Sequence, residues 1–129
     1  MKKDKIKYWV DLSDYDFKTA EAMMKTGRLL YVGFMCHQSI EKILKAYFTA
    51  KKNETPPFTH SLSYLAKNAG IMELFSEEQI DFIDVLEPLN IQARYPSHKE
   101  KLMKSLTKEK CKEILTKTKE LQSWIKKKL

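Results

Sequence analysis

Arg94 and His98 stand with three residues between them in Arg-Tyr-Pro-Ser-His, at the point where Pro96 should end a helix. Both side chains can reach one small site there. A guanidinium stabilises a developing oxyanion, and an imidazole moves a proton at neutral pH. RNA cleavage without a metal asks for little more than 2′-OH activation and charge stabilisation, so the pair suits that chemistry. The same five residues also read as a helix-ending ion pair followed by an exposed loop histidine.

A second set lies in the stretch Tyr31 to Ala50. Cys36, Ile40, Ile43, Leu44 and Tyr47 follow the three-and-four spacing of a buried helical stripe. Gln38, Glu41 and Lys45 follow that spacing on a neighbouring face, bracketed by Phe34 and Phe48. Polar groups framed by large apolar ones are expected to line a groove or an interface. Glu41 and Lys45, four apart, also suffice to pair with each other. His37 borders the buried face, either as a satisfied core residue or as a proton carrier. Asp16 falls inside the apolar stripe of an earlier helix, where a carboxylate needs a partner; Lys45 and Arg94 are the candidates.

The charge is unevenly placed. Residues 1–98 carry thirteen basic and thirteen acidic groups, so the net +7 comes from eleven Lys against four Glu in residues 99–129. Lys108, Lys112, Lys119 and Lys126 share a narrow stripe on a C-terminal helix. A one-signed stripe attracts polyanions, nucleic acid phosphate above all. No aromatic residue interleaves with these lysines, so a solvated face is the alternative.

Other chemistries are set aside. Three His and two Cys show no metal-ligand spacing, and no metal or cofactor is expected. A glycine-rich phosphate loop and a nucleophile elbow are both missing. Asp11, Asp14 and Asp16 lack the glycine turn of a calcium loop. Cys36 and Cys111 sit on apolar faces, as reduced core thiols do.

These groups must be positioned by helices. A chain of 129 residues, 43% hydrophobic and 32% charged, fits one domain with one core over residues 1–129. Three Gly and four Pro argue against a many-stranded β fold. The spacing predicts a helix from Tyr8 to Thr26, with Tyr8, Trp9, Leu12, Tyr15, Thr19, Ala20 and Met23 inward. A second runs from about Leu30 to Lys52. Pro56 and Pro57 impose a loop. Ser61 caps a short helix stopped at Gly70. Ser76 and Gln79 have the capping-box spacing of a fourth, which Pro88 bends and Pro96 ends. Tyr95 to Leu106 reads as loop or frayed chain, and Thr107 to Lys128 as the last helix. The expected architecture is all-α, an up-and-down antiparallel bundle of four to five helices. The longest uncharged run, Leu29 to Ile40, is short of the ~20 residues that span a bilayer. The basic N-terminus has no apolar run of signal-peptide type behind it, which predicts a cytoplasmic protein. The aromatic-rich second helix, with Phe34, Met35 and Phe48, predicts a homodimer.

The ordered set Trp9, Asp16-Phe17 and Ala20; Tyr31, Cys36-His37-Gln38, Glu41-Lys42 and Leu44-Lys45-Ala46; Pro56-Pro57, Thr59-His60-Ser61-Leu62; and Ala93-Arg94-Tyr95-Pro96 resembles the HEPN domain family over nearly the whole chain. The resemblance implies a helical bundle that commonly dimerises, often encoded beside a minimal nucleotidyltransferase in a toxin–antitoxin-like pair. Catalytic members usually separate their Arg and His by four to six residues. Arg94 and His98 have three between them, one a Pro, which is more similar to members thought to bind nucleotides or partners without cutting RNA. The resemblance thus implies a nucleotide-, RNA- or partner-binding module, with Asp16, His37, Gln38, Glu41, Lys45, Arg94 and Tyr95 in a shared groove. A metal-independent endoribonuclease using Arg94 and His98, and a purely structural dimerisation domain, are the alternatives; His37 and His60 are further candidate bases.

Overall fold

A computed structural model describes the backbone of residues 2–92 and 95–129, and the side chains of those residues except 91, 92 and 96–99. Among the described residues six α-helices follow one another: α1 (Lys2–Lys25), α2 (Leu29–Lys52), α3 (Leu62–Ala69), α4 (Glu77–Gln92), α5 (Pro96–Ser105) and α6 (Lys108–Lys126). A 3-10 turn, Met72–Leu74, joins α3 to α4. No strand occurs among the described residues. The fold is the all-α bundle that the spacing predicts.

α2 is the axis of this bundle. It packs against α1, α3, α4, α5 and α6. Its expected stripe is buried, Cys36, Ile40, Ile43, Leu44 and Tyr47 included. Burial extends beyond the stripe, however, to most residues from Leu30 to Thr49, leaving Tyr31 exposed and Phe34, Met35, Gln38 and Lys42 half-buried along one edge. A helix covered over most of its circumference keeps only that narrow edge near solvent, so Ser39, Glu41, Lys45 and Thr49 are forced inside and must find partners there.

Local chemistry explains most boundaries. Asn53 and Gly70 adopt left-handed φ of 53° and 80° just past α2 and α3, the usual way to satisfy a last carbonyl. Ser76 N–H donates to Gln79 Oε1 at 2.9 Å, and Gln79 N–H donates back to Ser76 Oγ at 3.1 Å, closing the expected capping box. Pro88 lies inside α4 without ending it.

Three expectations need correction. α1 begins at Lys2, six residues before Tyr8. Tyr8 and Tyr15 point outward, and the buried positions of α1 are Ser13, Phe17 and Ala20. Ser13 is buried because Ser39 answers it: Ser13 Oγ donates to Ser39 O at 2.7 Å, Ser39 Oγ donates to Ser13 O at 2.9 Å, and Gln122 Nε2 of α6 donates to Ser13 Oγ at 2.9 Å. Residues 96–105 are helical rather than loop. Pro96 starts α5 at a position where its missing N–H costs nothing, and buried Leu102 and Leu106 hold the helix down.

Candidate functional site: a buried carboxylate–histidine cluster

Glu41 is the centre of the polar chemistry. It is 1% exposed, near the middle of α2. A buried carboxylate survives only with strong partners, and Glu41 has two. Lys45 Nζ, one turn along, donates to Oε2 at 3.1 Å. His60 Nδ1, from the loop before α3, lies 3.0 Å from Oε1. His37 Nδ1 faces the same Oε1 at 3.9 Å. Lys45 Nζ also stands 5.3 Å from the Trp9 ring centre, so α1 supplies the cation's second neighbour.

Glu87 of α4 closes the other side. It accepts from Leu62 N–H at 2.9 Å, Ser63 N–H at 3.0 Å and Ser61 Oγ at 3.2 Å, a carboxylate cap on the N-terminus of α3. His37 Nε2 lies 3.6 Å from its Oε2, beyond hydrogen-bond range, so the backbone donors are the firmer hold. Burial raises the Glu87 pKa, but His37 and the Ser63 and Leu62 N–H groups outweigh it and bring the value down to about 2. The fully buried His37 ring therefore lies between two carboxylates, with neither nitrogen in a hydrogen bond among the described residues.

His60 differs from His37 in access. Its side chain is about half exposed (48%) while its Nδ1 rests on Glu41. A carboxylate holding Nδ1–H leaves Nε2 as the accepting nitrogen, directed away from Glu41. Chemically, such a ring can take a proton from a bound hydroxyl or, once charged, meet a phosphate. The fully exposed Phe58 ring lies 6.5 Å from it.

The remaining candidates fall elsewhere. Asp16 pairs with Lys42 Nζ at 3.3 Å, not with Lys45, whose Nζ goes to Glu41. Burial is the main cause holding its pKa above the ordinary carboxylate value, with Lys42 opposing. Gln38 is half-buried, and its Oε1 has no hydrogen-bond partner among the described residues. Tyr95 is exposed. Arg94 lies outside the described residues, as does the side chain of His98, whose backbone is in the first turn of α5. Of the lysine stripe, Lys108, Lys112 and Lys119 are exposed. Lys126 is bound to Asp14 at 2.6 Å. Lys119 Nζ stands 5.2 Å from the Phe17 ring, an aromatic neighbour from α1 that the C-terminal sequence does not reveal. No group of three or more His, Cys, Asp or Glu among the described residues is arranged to hold a metal ion.

Sequence reasoning missed Glu87 altogether. Its signal is weak: an acid one residue before a mid-helix proline, with partners 24 to 26 residues away.

Two comparisons bear on this chain. The family model described as the HEPN domain matches residues 6–129. The solved structure of TT1696 from Thermus thermophilus superposes with a TM-score of 0.83 at 18% identity, covering 97% of this chain and 98% of that one. At that identity the likeness speaks for the fold alone. No curated protein matches the chain.

Proposed function

The chain belongs to the HEPN domain family, and from that premise we propose that it is a nucleotide- or RNA-binding module whose site is built on Glu41. The observation that carries this reading is the buried Glu41 holding both Lys45 and the half-exposed His60. A merely structural ion pair would be complete with Lys45. The second bond, to an imidazole that reaches solvent, provides a positioned donor or acceptor for a phosphate or ribose hydroxyl. Arg94 and Tyr95 would extend the site toward a second copy, in a groove shared by a homodimer. The companion of such a module would be a minimal nucleotidyltransferase, in a toxin–antitoxin-like pair.

Calorimetric titration with ATP and with a short single-stranded RNA, both in EDTA, tests the site. Binding that drops at least tenfold in His60→Ala supports it, and equal binding by wild type and variant sinks it. Affinity capture with the full chain tests the nucleotidyltransferase companion.

The ribonuclease reading rests on Arg94 and His98. Pro96 opens α5, so the His98 backbone lies in the first turn of a new helix rather than at the end of α4. RNA that stays intact in EDTA with wild type, Arg94→Ala and His98→Ala removes that reading.

A further inference from the structure

His37 is fully buried and titratable, and no hydrogen bond among the described residues accounts for its place inside. Its ring stands between carboxylates of two different helices. Nδ1 is 3.9 Å from Glu41 Oε1 on α2, and Nε2 is 3.6 Å from Glu87 Oε2 on α4. A neutral imidazole has one N–H and one lone pair, so it cannot donate to both. Whichever nitrogen carries the proton, the other turns a lone pair toward a carboxylate oxygen. The carboxylate that draws the proton more strongly makes the choice.

The surroundings favour Glu87. Glu41 already holds the Lys45 cation on Oε2 at 3.1 Å and His60 on Oε1 at 3.0 Å. Glu87 is neutralised by no Lys or Arg among the described residues. Its Oε2 accepts one hydrogen bond there, from Leu62 N–H, and is the nearer of the two oxygens to the ring. At 3.6 Å the contact is too long for a firm hydrogen bond. A carboxylate at that distance from a fully buried ring still acts on it with little screening. The next charges outward, Asp16 and Lys42, neutralise each other.

We propose that His37 is a positioning residue that carries its proton on Nε2, toward Glu87, and thereby reserves Glu41 Oε1 for His60. The Nδ1 lone pair then faces Oε1 and offers it no hydrogen. Glu41 obtains its second donor from the loop before α3 instead. His60, bonded through Nδ1–H, keeps Nε2 free. The two histidines hold opposite tautomers, and Glu87 sets the presentation of the half-exposed ring by way of the buried one. The carboxylate that caps α3 thus also governs the loop that leads into it. What His60 does for a ligand rests on the reading of the site given above; the tautomers do not.

Proton–nitrogen correlation spectra of the full chain, with isotope-labelled histidine and at slightly alkaline pH, read the tautomers directly. The chain has three histidines, and His60→Ala and His98→Ala assign their signals. The expected result is Nε2–H on His37 and Nδ1–H on His60. Nδ1–H on His37, or protons on both of its nitrogens, overturns the proposal. Two replacements of equal shape separate donation from packing. His37→Asn places an N–H group near the position of Nδ1, and His37→Leu has no donor. Both are first checked for an unchanged helical circular dichroism spectrum. Asn should compete for Glu41 Oε1, so that His60 loses the Nδ1–H form and shifts to the Nε2–H form of a free imidazole. Leu should leave His60 as it is in the wild type. The same His60 signal in both variants would show that His37 only fills space, and overturns the proposal. Where a variant does not fold, the wild-type tautomers decide. Failure of ATP and RNA binding in the separate titration would sink the reading of the site and leave the tautomers standing, so the two fail by different measurements.

Discussion

Glu87 and Glu41 show how single carboxylates organise the centre of the protein. Glu87 is held near 2 in the folded state by His37 and by two backbone N–H groups of α3, the latter donors at every pH. The unfolded chain takes up that proton first, near the ordinary value of 4.5. Its stabilisation is therefore whole above about pH 4.5 and disappears as pH falls toward 2. Glu87→Gln should cost on the order of 2 kcal/mol at pH 7, and the gap to wild type should close between pH 4.5 and pH 2 in urea melts. A gap independent of pH would show that Glu87 acts by packing. Glu41→Ala is a harsher change, because it leaves Lys45 buried without its anion; a loss of about 3 kcal/mol or more is expected in the same assay. At this scale the sequence is half legible. The i, i+4 spacing of Glu41 and Lys45 announces their pair. The His60 bond spans 19 residues and the Glu87 cap 24 to 26, and no local pattern encodes either.

Helices read well from sequence where their own side chains set their ends, and poorly where distant packing does. Ser61, Gly70 and the Ser76–Gln79 box are local devices, and α3 and α4 begin or end where those residues say. The inner face of α1 is different. A stripe of large residues suggests Tyr8 and Tyr15 inward, yet the close approach to α2 selects Ser13 and Ala20, because two hydroxyls exchange bonds across the seam. The helix α5 is lysine-rich and weak by itself, and burial of Leu102 gives it a place on the bundle. Gly33 makes the matching point for α2 and α4. A Cβ added there would meet Leu89 Cδ1 at 2.9 Å, closer than real contacts allow. Gly33→Ala gains helix propensity but must shift the end of the Leu89 side chain within the core. A net loss of about 1 kcal/mol is expected, against the gain of about 0.5–1 kcal/mol that an exposed helical site would give. A raised melting temperature would show that Leu89 moves aside freely.

The whole molecule is electrically polarised in a way that neither its fold nor its site requires. Between Gly70 and Gln92 there are six acidic side chains and no basic one, whereas residues 99–129 carry the entire net charge of +7. α4 and α6 thus carry opposite charge within one bundle. A polyanion such as RNA meets repulsion at α4 and attraction along α6, so it should be oriented before any specific contact forms. Within the stripe, Lys126 is already neutralised by Asp14, leaving Lys108, Lys112 and Lys119 exposed and without an ion pair among the described residues. Each lysine that meets a phosphate of a single strand adds about 0.7 to the slope of log affinity against log salt. Replacing those three with Ala should therefore lower the slope for a single-stranded RNA by about 2 and cost little stability, only the Lys119 contact with the Phe17 ring being lost from the fold. Lys126→Ala should do the reverse, lowering stability through loss of the Asp14 bond while leaving the slope nearly intact. A triple variant with the wild-type slope would place RNA contacts away from α6. The two effects separate because Lys126 holds an ion pair within the fold and the other three hold none among the described residues. Sequence periodicity groups all four on one stripe, and only the packing of α6 against Asp14 of α1 tells them apart.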